Sequence, residues 1–453
     1  MPEYVYEEFR SFLKCGILDH GFIRLKCEDC NEEMVVAFSC KLRGFCPSCS
    51  GRRMAETAAH LVDHVLPHRP YRQFVVTFPF EMRHWMATHK SLEKAVHKIV
   101  SHEIHKLYQD KAGFPSTVKS AAGAVSFTQR WGSALNLNIH YHILFTDGVY
   151  YNDDSPQFRN VKIDNQDIQQ LLSSIVSRTI KLLRKRGFVA KEGFVEPPEP
   201  DPLFEDGGSL AVAAKAATMG RIAFGSDAGK PVIRIGRTFG YEGEFAVAQG
   251  DLCYSQNGFS IHARRHINSL DRKGLESLIR YISRGPISNE RIEILDDGQV
   301  KLRLKSSYSD GTTHMVYSPH DFLAKLCALI PPPKAHLVRW SGCLAPASPF
   351  RRQVVLDDDA RKGFQFDSSA ELDGSEENKG KAKNYRHAEL LKRVFKVDVE
   401  TCDKCGGKMK YMAAILDPVE IHRYLDHEGL SATGPPCELS EEVPLELEYE
   451  TLS

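Results

Sequence analysis

The chain has 453 residues, 42% of them hydrophobic, and its 59 basic and 59 acidic side chains give a formal net charge of zero. This length exceeds one ordinary hydrophobic core and predicts two to four domains. No stretch approaches the ~18 consecutive apolar residues of a membrane span, the first residues lack a secretion-signal pattern, and the balanced charge excludes a uniformly basic DNA-coating protein, so a cytoplasmic location is expected.

Two Cys-x-x-Cys pairs, CEDC and CPSC, lie in the first 60 residues with fifteen residues between them. Twelve cysteines in a chain of this type favour metal binding over disulfides. The spacing predicts one tetrahedral structural zinc, and the alternative is four unrelated buried cysteines. The predicted ligands are Cys27, Cys30, Cys46 and Cys49.

The other cysteines of the N-terminal and central segments are interpreted as packed thiols, because they lie beside apolar residues or between the pairs. They are Cys15, Cys40, Cys253, Cys327 and Cys343.

Positive charge follows the second cysteine pair directly. Residues 34–55 contain no acid and include Arg52 and Arg53. A local basic patch is typical of a nucleic-acid contact, and a solvated basic face fits these arginines equally well.

Hydrophobic periodicity predicts the elements that follow. RQFVVTFPF is a strand, residues 82–107 form a helix, and GAVSFTQRW and NLNIHYHILF form a hairpin. Further helices are expected at 165–185, 209–220, 271–284 and in HDFLAKLCALIPPP, and a second hairpin in RIEILDDGQVKLRLK. Residues 196–208 are interpreted as a loop, and the polar residues 366–383 as a disordered linker.

Two histidines interrupt the apolar strand NLNIHYHILF. Side chains alternate between the faces of a strand, so Leu137 and every second residue to Phe145 form a core face, whereas His140 and His142 share the other. Two imidazoles at this spacing can converge on one ion. The alternative is a pair of structural histidines on a partly exposed sheet face.

The preceding strand offers a third ligand. A hairpin turn near Leu135 places Gln129 roughly opposite the two histidines. Two imidazoles and an amide oxygen suit Mg²⁺ or Mn²⁺ with positions open for phosphate oxygens.

The helix that contains SLIRYISRGP carries Tyr281 at the edge of its apolar stripe. A tyrosine there can be an aromatic packed at the rim of the core, or a nucleophile that attacks a phosphate polarised by a metal. Arg280 and Arg284 flank it and are expected to contact a DNA backbone.

A third pair, Cys402 and Cys405 in CDKCGG, is half of a zinc ribbon. A complete site needs two further ligands, for which His422, His427 and Cys437 are the nearest candidates, or a partner chain. An unliganded pair is the alternative.

These motifs occur in a characteristic order. CPSC runs into GRR, and RQFVVTFPF, QRWGSALNLNIHYHILFTDGVY, GFSIHA, LIRYISR and DGTTHMVYSPHDFLAKLCALIPPP follow. In this order the chain resembles the rolling-circle transposases of the insertion sequence 91 and common-region type, which are HUH endonucleases. The resemblance extends from about Cys27 to about Asp426.

The resemblance implies an α+β fold in which an antiparallel-sheet HUH core with helices lies between a small zinc-binding domain and a small C-terminal module. The expected bounds are 1–60 for the zinc-binding domain, 70–355 for the catalytic domain with a helical insertion near 160–250, 356–384 for a linker and 385–453 for the C-terminal module with its acidic tail.

The same resemblance implies an endonuclease and strand transferase for single-stranded DNA at element ends. His140 and His142 would hold the divalent metal, and Tyr281 would form a 5′-phosphotyrosine. A prokaryotic, cytoplasmic protein that is associated with the nucleoid during activity is expected.

The chain also departs from the family pattern. Ser277 stands where some members carry a second tyrosine, so the chain resembles the single-tyrosine branch. In that branch the second nucleophile is either a DNA 3′-hydroxyl or the tyrosine of a second protomer of a homodimer. The alternatives are a zinc-dependent nucleic-acid-binding protein without catalysis, an inactive transposase copy, and a metal phosphoesterase that activates water.

Overall fold

The computed structural model describes residues 1–152, 154–190, 208–236, 250–355 and 400–431. Its α-helices are α1 (Glu3–Phe12), α2 (Pro47–His60), α3 (Phe80–Thr88), α4 (Lys90–Ala112), α5 (Asn165–Lys185), α6 (Ser209–Thr218), α7 (Arg272–Ser283), α8 (Pro319–Leu329), α9 (Arg351–Val354) and α10 (Pro418–Glu428). Its strands are β1 (Phe22–Cys27), β2 (Glu33–Ala37), β3 (Tyr71–Thr77), β4 (Ser120–Ala121), β5 (Gly123–Trp131), β6 (Leu137–Thr146), β7 (Gly148–Tyr151), β8 (Gln157–Asn160), β9 (Ile233–Ile235), β10 (Cys253–Gln256), β11 (Phe259–His262), β12 (His266–Ile267), β13 (Ile292–Ile294), β14 (Val300–Arg303), β15 (His314–Tyr317), β16 (Val338–Gly342) and β17 (Met409–Ile415).

A seven-stranded sheet forms the centre of the part of the chain between residues 71 and 342. Its strand order is β10-β11-β3-β6-β5-β16, with β12 paired to β3, and every pairing is antiparallel. The predicted hairpin is β5–β6, and Leu135 in its turn has a positive φ of 54°. The mixture of helices with antiparallel sheets confirms the α+β class.

The two faces of β6 pack against different layers, as the alternation predicts. Leu137, Ile139, Tyr141, Ile143 and Phe145 lie in the larger core, with residues of α3, α4 and α5. The opposite face, which carries the two histidines, meets a second core formed largely by α2, α7 and the π-helical turn Leu61–Val65 that continues α2. The sheet is thus covered on both sides.

The expected helix over 82–107 is wrong in one respect, because the structure divides it into α3 and α4 at His89. His89 has non-helical dihedral angles, with φ −124° and ψ 88°. Its ring packs edge-on against Phe188 at 4.9 Å, and its Nδ1 lies 3.0 Å from the carbonyl oxygen of Trp85. The apolar spacing continues across His89, so it does not reveal this break.

The other predicted helices are confirmed. The predicted 165–185 is the span of α5, whose N-terminus is fixed by a capping box in which Asp164 and Asp167 each accept the other's backbone N–H. The expected helix 271–284 is α7, and Asp271 caps it by accepting the N–H of Gly274 at 2.8 Å. The second hairpin is β13–β14, in which Gly298 has φ 80°.

The N-terminal region includes a separate three-stranded sheet with the order β17-β1-β2. Its first strand, β17, comes from the C-terminal segment, so the described residues 400–431 pack against the N-terminal residues. Helix α10 covers this sheet through a small core of Leu18, Phe22, Ile421 and Leu425.

Several expectations lie outside the described residues, among them the linker at 356–384, Cys437 and most of the loop at 196–208. Of the helices in the described ranges, none combines the length and apolar character that crossing a membrane requires.

Candidate active site and cysteine groups

The two histidines of β6 converge at one point. Nε2 of His140 and Nε2 of His142 are 3.2 Å apart. Two donors about 2.1 Å from one ion at a right angle lie roughly 3.0 Å apart, so the separation fits shared coordination. It also fits an N–H···N hydrogen bond between the rings when no ion is bound. The donor set therefore suits a divalent cation.

The far side of each ring is held by a neighbour. Nδ1 of His140 donates to the carbonyl oxygen of Asn138 at 2.8 Å, and this tautomer leaves the Nε2 lone pair available. Nδ1 of His142 contacts the side-chain amide of Gln73 at 2.8 Å. Metal binding through Nε2 of His142 requires Gln73 to present its amide oxygen, since Nδ1 then carries the proton.

Gln73 is a further residue of the site that the motifs did not reveal. Its signal in the sequence is a single amide within the apolar strand RQFVVTF, on the sheet face that it shares with the two histidines. Gln73 is only 1% exposed, which is unusual for an uncharged polar side chain without a local role.

Both histidines are kept neutral. Burial lowers the pKa of His140 to about 4, against the opposing effect of the Asn138 carbonyl. Burial and the adjacent His140 lower the pKa of His142 well below its ordinary value. The basic side chains Arg83, Arg284 and Lys305 contribute to this lowering of the histidine pKa values.

Gln129 lies directly opposite His140 in the β5–β6 ladder, as expected. Its Nε2 donates to the backbone carbonyl of Ile282 in α7 at 2.7 Å. The amide nitrogen therefore holds the helix that carries Tyr281, and the amide oxygen remains for another partner.

Tyr281 lies beside the histidines although it is far from them in the sequence. Its ring centroid is 6.4 Å from that of His142, and the ring planes are nearly perpendicular. The Arg284 guanidinium lies 4.0 Å from the Tyr281 ring centroid, and Nζ of the exposed Lys305 lies 6.0 Å from it. The structure thus brings together Tyr281, His140, His142 and Gln129.

A cleft of about 190 Å³ opens next to this group. Its walls come from the loop before α2, α2 itself, β5, the end of α7 and residues 336–338. None of the described residues that line it is acidic, whereas Arg43, Arg53, Arg284 and His336 are basic.

The four arginines predicted to contact DNA are separated by the structure. Arg53 and Arg284 line the cleft. Arg280 forms a largely buried ion pair with Glu276 at 2.6 Å within α7, and Arg52 is half-buried outside the cleft.

The end of α7 touches the start of α2. A Cβ added to Gly285 would lie 2.3 Å from Oγ of Ser50. Ser50 follows Cys49 directly, so a cysteine-bearing helix of the zinc-binding region packs against the helix of Tyr281.

The predicted zinc ligand set is divided between two groups, which corrects the expected single site. In the first group, Cys46 and Cys49 meet Cys15 and Cys40, which had been interpreted as packed thiols. The Sγ–Sγ distances include 3.7 Å for Cys15–Cys49, 3.3 Å for Cys40–Cys49 and 3.6 Å for Cys46–Cys15. Four sulfurs about 2.3 Å from a tetrahedral zinc are roughly 3.8 Å apart, so this group fits a structural zinc.

The second group consists of Cys27 and Cys30 with Cys402 and Cys405. His422 is not required for it and instead pairs with Asp19 at 3.0 Å. The local Cys-x-x-Cys spacing identified the pairs, but it could not show which pairs meet.

Comparison with known protein families identifies a zinc-binding domain and a transposase domain in the chain. The Transposase zinc-binding domain family, Zn_Tnp_IS91, matches residues 1–78. The transposase family Y2_Tnp matches residues 123–352, just over half of the chain, including the histidine pair and Tyr281. No curated protein and no solved structure gave a significant match. With zinc-binding cysteines at its N-terminus and a transposase domain over its central sheet, the chain belongs to the IS91 family of transposases.

Proposed function

We propose that this transposase nicks single-stranded DNA at the ends of a mobile element and transfers the strand through a 5′-phosphotyrosine on Tyr281, in support of rolling-circle transposition. The observation that carries the proposal is the meeting of Tyr281 with His140 and His142, with 6.4 Å between the Tyr281 and His142 ring centroids. Tyr281 packs at the edge of the second core, and two buried histidines beside its ring are unusual for a purely structural contact, since buried contacts are mostly apolar.

The covalent chemistry conserves the phosphodiester energy. The Tyr281 hydroxyl oxygen attacks the phosphorus and loses its proton, and the bond to the 3′ oxygen breaks, so a free 3′-hydroxyl leaves. A 3′-hydroxyl then attacks the phosphotyrosine and restores Tyr281. With a single tyrosine, the second transfer uses this 3′-hydroxyl or the tyrosine of a second protomer.

His140, His142 and Gln129 would hold the divalent ion, Mg²⁺ or Mn²⁺. Such an ion, when bound, neutralises charge on the phosphate oxygens and polarises the phosphorus. The neutral imidazoles and the orientation of Nδ1 of His140 toward the Asn138 carbonyl support this role.

The cleft beside Tyr281 supports a path for the DNA strand. Its lining is free of acids among the described residues, and Nε of Arg284 and Nε1 of Trp131 are buried without a hydrogen-bond partner. Buried donors of this kind are expected to gain an acceptor on ligand binding, because an unmade hydrogen bond is costly. A basic cleft with an aromatic side chain is typical of single-strand binding.

The test is a covalent-adduct gel. The protein is incubated with labelled single-stranded DNA from the element ends and Mn²⁺, and then denatured. We expect a shifted band that is lost in Tyr281→Phe and in His140→Ala and is retained in the control Tyr254→Phe, which lies on β10. An adduct that persists in Tyr281→Phe would overturn the assignment of the nucleophile. Intact DNA binding without any adduct would favour a non-catalytic zinc-dependent DNA-binding protein, and multiple turnover without an adduct would favour water as the nucleophile.

A further inference from the structure

We propose that Cys27, Cys30, Cys402 and Cys405 form a second zinc site, and that this site fastens residues 400–431 to the N-terminal region to complete the zinc-binding domain. The family match to the zinc-binding domain ends at residue 78 and includes only two of these cysteines. The inference does not depend on the strand-transfer chemistry of Tyr281.

The two Cys-x-x-Cys turns have the same backbone design. The N–H of Cys27 donates to the carbonyl of Glu32 at 2.8 Å, and the N–H of Cys402 donates to the carbonyl of Gly407 at 2.8 Å, in each case five residues later. The residue after each second cysteine is left-handed, with φ 61° at Asn31 and 75° at Gly406. Such matching turns each present two thiolates in the same way, which is the arrangement of a tetrahedral zinc ribbon.

The sulfur positions favour a metal over disulfides. All four Sγ atoms lie within 4.8 Å of one another, and the cross-pair distances are 3.4 Å for Cys27–Cys405 and 3.6 Å for Cys30–Cys402. A disulfide needs its two sulfurs about 2.05 Å apart, and two disulfides do not require all four sulfurs to surround one point. Four thiolates around one point select a soft, tetrahedral ion such as zinc.

Gly407 shows how closely the two segments approach. A Cβ at this position would lie 2.9 Å from Sγ of Cys27 and 2.3 Å from Oδ2 of Asp29. The N–H of Gly407 also points to Sγ of Cys405 at 3.4 Å. The second glycine of CDKCGG is therefore explained by contact with the other turn, since only glycine leaves space there.

The packing around the group is too small to hold the segments by itself. Among the described residues, the buried members of the cluster around the sulfurs are just Cys27, Cys402 and Met409. The remaining links are the β1–β17 pairing, the core under α10, and polar contacts such as Tyr424 to Glu33 at 2.9 Å and Lys404 to Glu32 at 2.8 Å. Domains with so little apolar core usually require a metal or a covalent link.

Zinc stoichiometry tests the site. Native mass spectrometry is expected to show two zinc ions in the unmodified full chain. The variants Cys402→Ser/Cys405→Ser and Cys40→Ser/Cys46→Ser should each retain one zinc ion, and the control Cys253→Ser/Cys343→Ser should retain both. Two zinc ions in Cys402→Ser/Cys405→Ser, or one in the unmodified chain, would overturn the proposal. If the four cysteines formed two disulfides and no zinc site, the mass of the denatured chain would be lower by four hydrogens, which would also overturn the proposal.

Two further measurements test the site without relying on correctly folded variants alone, and test whether the metal holds residues 400–431 in place. Cobalt substitution of the unmodified chain is expected to give the absorption of two tetrathiolate sites. Hydrogen exchange on the full chain should show that strand β17 loses protection in Cys402→Ser/Cys405→Ser, while α4 in the catalytic core stays protected. Unchanged protection of β17 in a variant that has lost one zinc would show that the metal does not fasten the segment.

Discussion

The ring of Tyr281 stands at 88° to the ring of His142, with 6.4 Å between their centroids. One ring belongs to a central strand and the other to a helix that the chain reaches much later. Gln129 fixes this relationship, because its amide spans from β5 to the Ile282 carbonyl next to Tyr281.

Metal binding at the histidines is expected to depend on DNA. Arg83 and Arg284, whose charges act on the histidine pair, are positively charged, so we expect a divalent ion to be repelled until the phosphates of DNA arrive. We expect single-stranded DNA to raise the Mn²⁺ affinity about tenfold or more, in the range of ordinary coupling energies. Electron paramagnetic resonance of Mn²⁺ with zinc-loaded Tyr281→Phe measures this without cleavage. Equal Mn²⁺ affinity with and without DNA, or DNA-dependent binding that survives in Tyr281→Phe/His140→Ala, would contradict it.

Gln129→Leu should reduce strand transfer with little loss of DNA binding. The substitution removes the 2.7 Å hydrogen bond to the Ile282 carbonyl and the amide oxygen that we propose as a metal ligand. Misplacement of a reacting group by about 1 Å costs about a hundredfold in rate. Single-turnover adduct formation compared with DNA affinity separates the two effects, and Gln170→Leu on the exposed face of α5 is the control. A loss of affinity equal to the loss of rate would argue for a binding role.

Gly285→Ala should disturb Tyr281 through the zinc-binding region. The added methyl would lie 2.3 Å from Oγ and 2.6 Å from Cβ of Ser50, so α7 and α2 must separate. Adduct formation is expected to fall, and Ser50→Gly in the same chain should restore it by removing the obstructing side chain. Failure of Ser50→Gly to rescue the rate would show that this contact does not position the tyrosine.

Arg43→Ala should weaken DNA binding in a salt-dependent way. Arg43 lines the cleft, which has no acid among its described residues. The pKa of nearby Arg53 is lowered first by burial and then by the positive charge of Arg43. Loss of one phosphate contact is expected to reduce the slope of log affinity against log salt by about 0.7 for a single strand. Fluorescence anisotropy at several salt concentrations gives this slope, and Arg423→Ala on α10 should leave it unchanged. An unchanged slope in Arg43→Ala would exclude Arg43 from the DNA path.

His97 is expected to make the fold sensitive to acid. Burial lowers its pKa from 6.5 to about 3, so the unfolded chain binds a proton more readily than the folded chain. The contribution to stability is complete above pH 6.5 and is lost as the pH falls toward 3, at about 1.4 kcal/mol per pH unit. Between pH 7 and pH 5 the free energy of unfolding should therefore fall by about 2 kcal/mol less in His97→Phe than in the unmodified protein.

Denaturant unfolding at the two pH values measures this difference. The aromatic replacement keeps the edge-on packing against Tyr141, where the rings are 5.1 Å apart. The exposed His102 provides the control, since His102→Gln should retain the full acid dependence. The same dependence in all three proteins would contradict the assignment to His97.

Local patterns predicted much of the catalytic region. The alternation along β6 identified both faces of the strand, and the turn near Leu135 placed Gln129 opposite His140. The apolar spacing and Asp164 defined α5. These features depend on neighbours within one element or one hairpin, so the sequence around them contains the necessary information.

Long-range partners were predicted less well. The Cys-x-x-Cys spacing indicates a turn that binds metal but is the same in all three pairs, so it does not show that Cys27 meets Cys405. Cys15 and Cys40 have no paired cysteine nearby in the sequence, and only the fold brings them to Cys46 and Cys49. Gln73 on β3 contacts His142 on the adjacent strand β6, and His89, where the helix breaks, packs against the distant Phe188.

The union of Cys30 with Cys402 has a consequence for biosynthesis. The two residues are 372 positions apart, so at roughly 5–20 residues per second the ribosome needs about 20 to 75 s after Cys30 before its partner exists. During that interval the first cysteine group, the central sheet and Tyr281 have all been made, while Cys27 and Cys30 remain without their ligand partners. A gene copy with a premature stop after α8 would therefore encode the histidines and the tyrosine but not Cys402 and Cys405. The thiols of Cys27 and Cys30 would then be open to oxidation, and the segment around them would be open to cleavage by proteases.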